Sequence, residues 1–220
     1  MADIRTLSHE SESLETAREE LRYSERRLAA RPETAALAVP FTTLLARWPG
    51  IRDAQLAHWD AEANADVAVA NLDDDADDLV EDLSRFLINL FKGREHPQYK
   101  RIFGDDAPSG VQALGLESQR ARMADWPAAL REASPETAPF ADRIQTVLDA
   151  GRVALDERVA AAAARANHRV NAIRGFFDEA NALRLTTFAQ LLTLSASTGK
   201  SKSWPKRFFY TARKAKKPTE

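Results

Sequence analysis

Thr198-Gly199-Lys200-Ser201 matches the last part of a phosphate-binding loop, in which backbone N–H groups cradle phosphates and a lysine reaches the outer ones. The complete loop needs a glycine five residues before Gly199, so that the backbone can wrap the anion, and that position is Leu194. A helical pattern also precedes the motif where a strand should stand. A helix C-cap is the reading these residues support. Metal chemistry fares no better. The chain has no cysteine and four histidines, His9, His58, His96 and His168. A carboxylate di-metal centre in a helical bundle requires Glu-x-x-His pairs, and the nearest approach is Gln55-x-x-His58. The acidic run Asp73, Asp74, Asp75, Asp77, Asp78, Glu81 and Asp82 lacks the alternation and central glycine of a calcium loop, which leaves a solvated helix face or a dock for a basic partner. No carboxylate stands out as isolated on an apolar face, so no acid/base pair with split pKa values is expected. Catalytic residues, metal ligands and cofactors are therefore expected to be absent.

The C-terminal segment carries the clearest chemical pattern. Lys200, Lys202, Lys206, Arg207, Arg213, Lys214, Lys216 and Lys217 surround Trp204, Phe208, Phe209 and Tyr210. Cations neutralise phosphates while aromatic rings stack on bases or enter a headgroup layer. The alternative divides the segment. Trp204, Phe208 and Phe209 dock on the body, and Arg213 to Lys217 remain as a free basic end. The second arrangement is the expected one, because the aromatic-basic mixture gives way to basic residues alone after Tyr210. Charge separates this segment from the rest: residues 200–220 carry +7 within a net charge of −2, leaving −9 on residues 1–199. Six of the eight lysines fall there.

The elements that must present these residues are helical. Of 220 residues, 40 are alanine and eight are glycine, a balance that lowers the entropic cost of helix. The fold class expected is all-α, an elongated bundle of long antiparallel helices, with residues 1–199 as the bundle and 200–220 as the tail. The first helix is placed near 8–30, where Leu7, Leu14, Leu21 and Leu28 repeat every seven residues along one narrow stripe. Pro32, Pro40 and Pro49-Gly50 predict breaks. A second helix near 53–91 starts at a cap on Asp53 and stops at Gly93, weakened midway by the acidic run. The segment Arg94 to Gly115 is rich in turn residues, with Tyr99 and Phe103 forming an apolar lid on a short helix. Helical pieces near 116–133 follow, with a restart at Asp125.

The last helix, near 138–198, shows the most regular pattern. Apolar or small residues run from Phe140 through Ile144, Leu148, Gly151, Leu155, Val159, Ala162, Ala166, Val170, Ile173 and Phe177 to Ala180. Ile144, Leu155, Ala166, Phe177 and Phe188 recur every eleven residues, which predicts one nearly straight seam. Gly151 on that seam suggests close approach of a partner helix. Beside it, Asn167, Asn171, Arg174, Asp178 and Asn181 form a polar row that either fixes register between helices or faces solvent.

These features point to a non-enzymatic helical scaffold or assembly subunit that works through protein–protein contacts, self-association included, with a basic tail for an anionic partner. The rival is a nucleic-acid-binding protein that uses the tail. A sequence pI near 6.1 counts against it, because sustained phosphate contact calls for a basic face on the body as well. An enzyme is the third class. The acidic N-terminal stretch and the shortness of the apolar runs argue against a signal peptide or transmembrane segment, and a cytoplasmic location is expected.

Overall fold

The computed structural model describes residues 4–210, and every regular element among them is helical. The helices are α1 (Leu14–Ala29), α2 (Val39–Phe91), α3 (Pro97–Phe103), α4 (Pro108–Gln112), α5 (Leu116–Met123), α6 (Trp126–Ala133), α7 (Ala138–His168) and α8 (Arg174–Ser197). A π turn, Arg169–Ile173, joins α7 to α8 without a break, and a 3₁₀ turn, Trp204–Phe208, follows α8. The chain forms two compact units. One comprises the residues up to Ala57 and those from Arg165 onward, the other His58–Ala164.

In the first unit the leucine stripe of α1 does what its spacing predicts: Leu7, Leu14, Leu21 and Leu28 are all buried. They share a core with Phe41, Leu44, Leu45 and Trp48 of α2 and with Phe176, Phe177, Ala180, Phe188 and Leu191. Ser13 caps α1 by accepting the Thr16 N–H, and Trp48 Nε1 donates to Leu14 O at 3.0 Å. The predicted break at Pro49-Gly50 does not occur. Helix α2 begins at Val39, and the expected cap Asp53 lies inside it. A proline in a helix interior costs about 3 kcal/mol. Each large side chain buried on the turns just before it contributes about 1.5–3 kcal/mol, so Phe41, Leu44, Leu45 and Trp48 outweigh that cost.

In the second unit, the later part of α2 runs antiparallel to α7. Val69 and Ala76 pack with Ala154, whereas Phe86 meets Phe140 with ring centroids 4.9 Å apart. The acidic run neither breaks nor ends α2, because Ala76, Leu79, Val80 and Leu83 between the carboxylates are buried. Gln112 and Gln119 donate to the Asp77 backbone and carboxylate, and Arg143 pairs with Asp82. The end of α2 is made by Lys92, at φ 65°, followed by Gly93. His96 then caps α3, and Tyr99, Ile102 and Phe103 are buried against α2 and α6 residues such as Leu83, Trp126 and Leu130. Asp125 precedes α6 without making a side-chain cap bond.

The expected single seam is interrupted. Ile144, Leu148 and Gly151 are buried, as are Ile173, Phe177 and Ala180, but Val159 and Val170 are 67% and 57% exposed. The π turn adds a residue to one helical turn just before the apolar face resumes, so an eleven-residue repeat does not describe one straight packed stripe. The polar row divides as well. Asn167, Asn171, Arg174 and Asp178 are exposed, whereas half-buried Asn181 exchanges two 2.8 Å hydrogen bonds with the Leu7 backbone.

Gly151 admits a side chain, not a partner backbone. A Cβ there would stand 2.6 Å from Arg120 Cδ, and Arg120 Nε donates to Leu148 O at 2.8 Å. Alanine ordinarily improves a helix by about 0.5–1 kcal/mol over glycine. Gly151→Ala is expected to reverse that sign, costing about 1 kcal/mol in chemical denaturation, because Arg120 must leave its hydrogen bond. In an Arg120→Ala background the same substitution should stabilise.

Asp73 has an Oδ1 shielded from solvent with no hydrogen-bond partner among the described residues. Burial, reinforced by Asp77 and Asp74, pushes its carboxyl above the usual range. A raised folded-state pKa means that ionisation opposes folding, so the penalty is present above that pKa and disappears as pH falls through it. Asp73→Asn should therefore raise Tm at neutral pH, with the gain shrinking as the pH is lowered.

Candidate functional site: the docked C-terminal segment

Helix α8 ends at Ser197, with Thr198 N–H donating to Leu194 O and Lys200 N–H to Ser195 O. The intervening Gly199 has φ 66°, a left-handed conformation that glycine adopts without penalty. The Thr198-Gly199-Lys200-Ser201 sequence is thus a helix terminus that turns the chain back onto the first unit. Lys200 fixes the reversal by donating to Glu33 at 2.6 Å while its ammonium lies 4.3 Å from the Trp204 ring. The hydrogen bond from Lys200 holds the Glu33 carboxyl below its ordinary range. This contribution is present above the usual carboxylate pKa and fades as pH falls through the lowered one, and solvent exposure keeps it small.

Past this tether, two adjacent pairs of side chains turn inward, Trp204 with Pro205 and Phe208 with Phe209. Trp204, Phe208 and Phe209 are buried, in contact with the core that α1, α2 and α8 share. Trp204 meets Phe208 edge-on at 4.8 Å, and Phe209 meets Phe188 edge-on at 5.9 Å. From α1, Tyr23 Oη and Arg27 Nε both donate to the Arg207 carbonyl. Tyr210 packs on Tyr23. With the aromatic rings inward, Lys202, Lys206 and Arg207 are left exposed on the same segment. Lys200 is half-buried and engaged with Glu33, so it is a tether as much as a surface cation. Arg213, Lys214, Lys216 and Lys217 lie outside the described residues. Among the described residues no group of three or more His, Asp or Glu could hold a metal ion, and no helix is long and apolar enough to cross a membrane.

Beneath the docked segment lies an ion pair that spacing alone did not single out. Arg184 on α8 is 1% exposed and Glu20 on α1 is 3% exposed, and Arg184 Nη1 donates to Glu20 Oε2 at 2.9 Å. Glu20 is the apolar-face carboxylate whose absence was expected. Arg5 donates to its other oxygen at 2.8 Å and also pairs with Glu12. Burial pulls the Arg184 guanidinium below its ordinary pKa, and Glu20 opposes that shift. A signal for the pair did exist. Arg184 occupies the helical position between Ala180 and Phe188, and Glu20 adjoins the Ala17 and Leu21 positions of the stripe. Opposite charges on two apolar faces imply mutual burial.

Removing one member of such a pair strands the other. Glu20→Gln is expected to cost about 3 kcal/mol in chemical denaturation. Combining it with Arg184→Met should recover most of that loss, since a packed apolar side chain replaces a buried charge. No protein-family model matches the chain, and no curated protein or solved structure matches it either.

Proposed function

We propose that this all-α protein is a non-enzymatic scaffold that holds an acidic protein partner through its C-terminal segment. The observation that carries this reading is the division of labour within residues 200–210. Buried Trp204, Phe208 and Phe209 fix the backbone, and exposed Lys202, Lys206 and Arg207 project from it just before the basic run Arg213–Lys217. A cation on a fixed backbone loses less freedom on binding than one on a free chain, so anchoring raises affinity without new contacts. The acidic balance of residues 1–199 repels a nucleic-acid backbone outside this segment. An acidic protein surface needs only a local basic patch.

The test is titration of the full chain with polyglutamate, duplex DNA and phosphatidylserine vesicles over a range of salt. Polyglutamate is expected to bind in a salt-sensitive manner and more tightly than the other two at equal charge. Deleting residues 212–220 should weaken binding severely, leaving only the share held by Lys202, Lys206 and Arg207, with Tm almost unchanged. Replacing Phe208 and Phe209 by Ser should instead lower stability by several kcal/mol, about 3 kcal/mol or more for each ring lost. Preferential binding of DNA would favour the nucleic-acid reading, and a truncation as destabilising as the aromatic replacement would remove the proposed division.

A further inference from the structure

The two units carry opposite charge. The stretches of sequence that build the first hold 20 Lys or Arg against 12 Asp or Glu, a balance of +8, whereas His58–Ala164 holds 11 against 21, a balance of −10. Nearly all of the positive excess comes from residues 200–220, which carry +7. The negative excess is concentrated on α2, where no Lys or Arg occurs between Arg52 and Arg85.

This stretch of α2 presents one continuous bare face. Asp60, Ala63, Val67, Ala70, Asp74 and Asp78 follow one another at steps of three or four residues, and all are exposed, Val67 at 59%. At about 1.5 Å per residue the face is about 27 Å long. Asp66 and Asp75 flank it and are exposed as well. Towards the end of α2 the carboxylates are engaged: Asp77 accepts from Gln119, Glu81 pairs with Arg85, and Asp82 with Arg85 and Arg143. Asp60, Asp66, Asp74, Asp75 and Asp78 have no ion-pair partner among the described residues. Asp74 and Asp78, one helical turn apart, repel each other, and a cation laid across them relieves that repulsion.

A second copy of the chain supplies the complementary chemistry. Lys202, Lys206 and Arg207 are exposed on an anchored backbone, and Arg213, Lys214, Lys216 and Lys217 follow in the sequence. A net charge of only −2 leaves two copies with little repulsion as wholes, so local charge decides which surfaces meet. Acidic face against acidic face and basic segment against basic segment are both repulsive, which leaves the face of one copy and the segment of another as the favoured pairing. Ala63, Val67 and Ala70 in the middle of the face have no side-chain polar group to desolvate. The aliphatic stems of lysine and arginine can lie on them while the charged heads reach the aspartates at either end. We propose that the chain self-associates, the Asp60–Asp78 face of α2 in one copy receiving the basic C-terminal segment of another. The inference rests on the reading of that segment given above and names its acidic partner as the chain itself.

The test is sedimentation velocity of the full chain over a range of protein and salt concentrations, run beside the polyglutamate titration. Self-association that grows with protein concentration and weakens with salt is expected, and polyglutamate should reverse it by competing for the segment. Asp74→Lys/Asp78→Lys, at exposed positions, should weaken association about tenfold or more by placing like charges in contact, with Tm and polyglutamate binding retained. Deleting residues 212–220 should weaken association and polyglutamate binding together. An equimolar mixture of these two variants should associate more than either alone, since one keeps the basic segment and the other the acidic face. A full chain that binds polyglutamate yet stays monomeric at every concentration would overturn this inference and leave the reading of the segment standing. A chain that neither binds polyglutamate nor self-associates would remove both. Association indifferent to Asp74→Lys/Asp78→Lys, or a mixture no more associated than its components, would also overturn the proposal.

Discussion

Placing Arg184 and Glu20 inside the first unit commits the chain to a particular arrangement around them. Two charges withdrawn from water lose hydration worth several kcal/mol each, and their attraction recovers this only in good geometry with the remaining polar atoms satisfied. The surroundings supply part of that, with Arg184 Nε and Nη2 left without a hydrogen-bond partner among the described residues. Arg5 takes the second oxygen of Glu20, Asn181 pins the Leu7 backbone and so holds the N-terminal segment in place, and the Phe209 ring stands 5.9 Å from the Arg184 guanidinium carbon. A helix α1 shifted by one residue would turn Glu20 away from Arg184 and leave both charges stranded. The pair thus adds little net stability yet selects one register among those that the leucine stripe alone would tolerate.

Packing in the second unit follows a different logic, with aromatic and aliphatic burial at its centre. Tyr99 stacks on Phe103 at 4.9 Å, Phe103 meets Trp126 edge-on at 5.1 Å, and the Tyr99 hydroxyl shares a hydrogen bond with buried Ser84. The short helices α3 to α6 would be marginal in isolation, since each is too brief to offset the cost of nucleation. They persist because each contributes one to four buried side chains to the face of α2 and α7. The acidic stretch of α2 persists for the same reason. Its apolar residues at helical spacing bind the helix to the unit, and the carboxylates occupy the remaining faces.

Periodicity made much of this legible. The stripe of α1, the helicity of the later part of α2, the lid of Tyr99 and Phe103 and the start of the last long helix all follow from apolar spacing and caps. What local rules misjudged was the strength of tertiary context. Pro49 reads as a stop because the loss of one hydrogen bond is visible in the sequence, while the burial of Phe41, Leu44, Leu45 and Trp48 against another helix is not. Gly151 reads as room for a backbone because glycine permits several kinds of close approach, and only the fold reveals that Arg120 fills it. The eleven-residue repeat overstated the seam because alanine satisfies an apolar pattern whether or not anything covers it. Arg184 and Glu20 were obscured for the opposite reason: arginine and glutamate are abundant in the chain, and their usual place is the surface.

Burial also sorts the side chains of residues 200–210 into inward rings and outward cations. An aromatic ring is worth most when buried, and three of them within residues 204–209 supply enough apolar surface to hold a short 3₁₀ turn that has little intrinsic stability. Once the rings face inward, geometry places the intervening cations outward, because consecutive side chains of a tight turn cannot all share one face. Tyr23 and Arg27 then anchor the Arg207 carbonyl from α1, so the backbone is held by hydrogen bonds as well as by burial. The sequence beyond Tyr210 carries Arg213, Lys214, Lys216 and Lys217 and no aromatic residue. Within residues 200–210 the backbone is therefore anchored by the buried rings, while Lys202, Lys206 and Arg207 contribute charge at the surface without contributing to that burial.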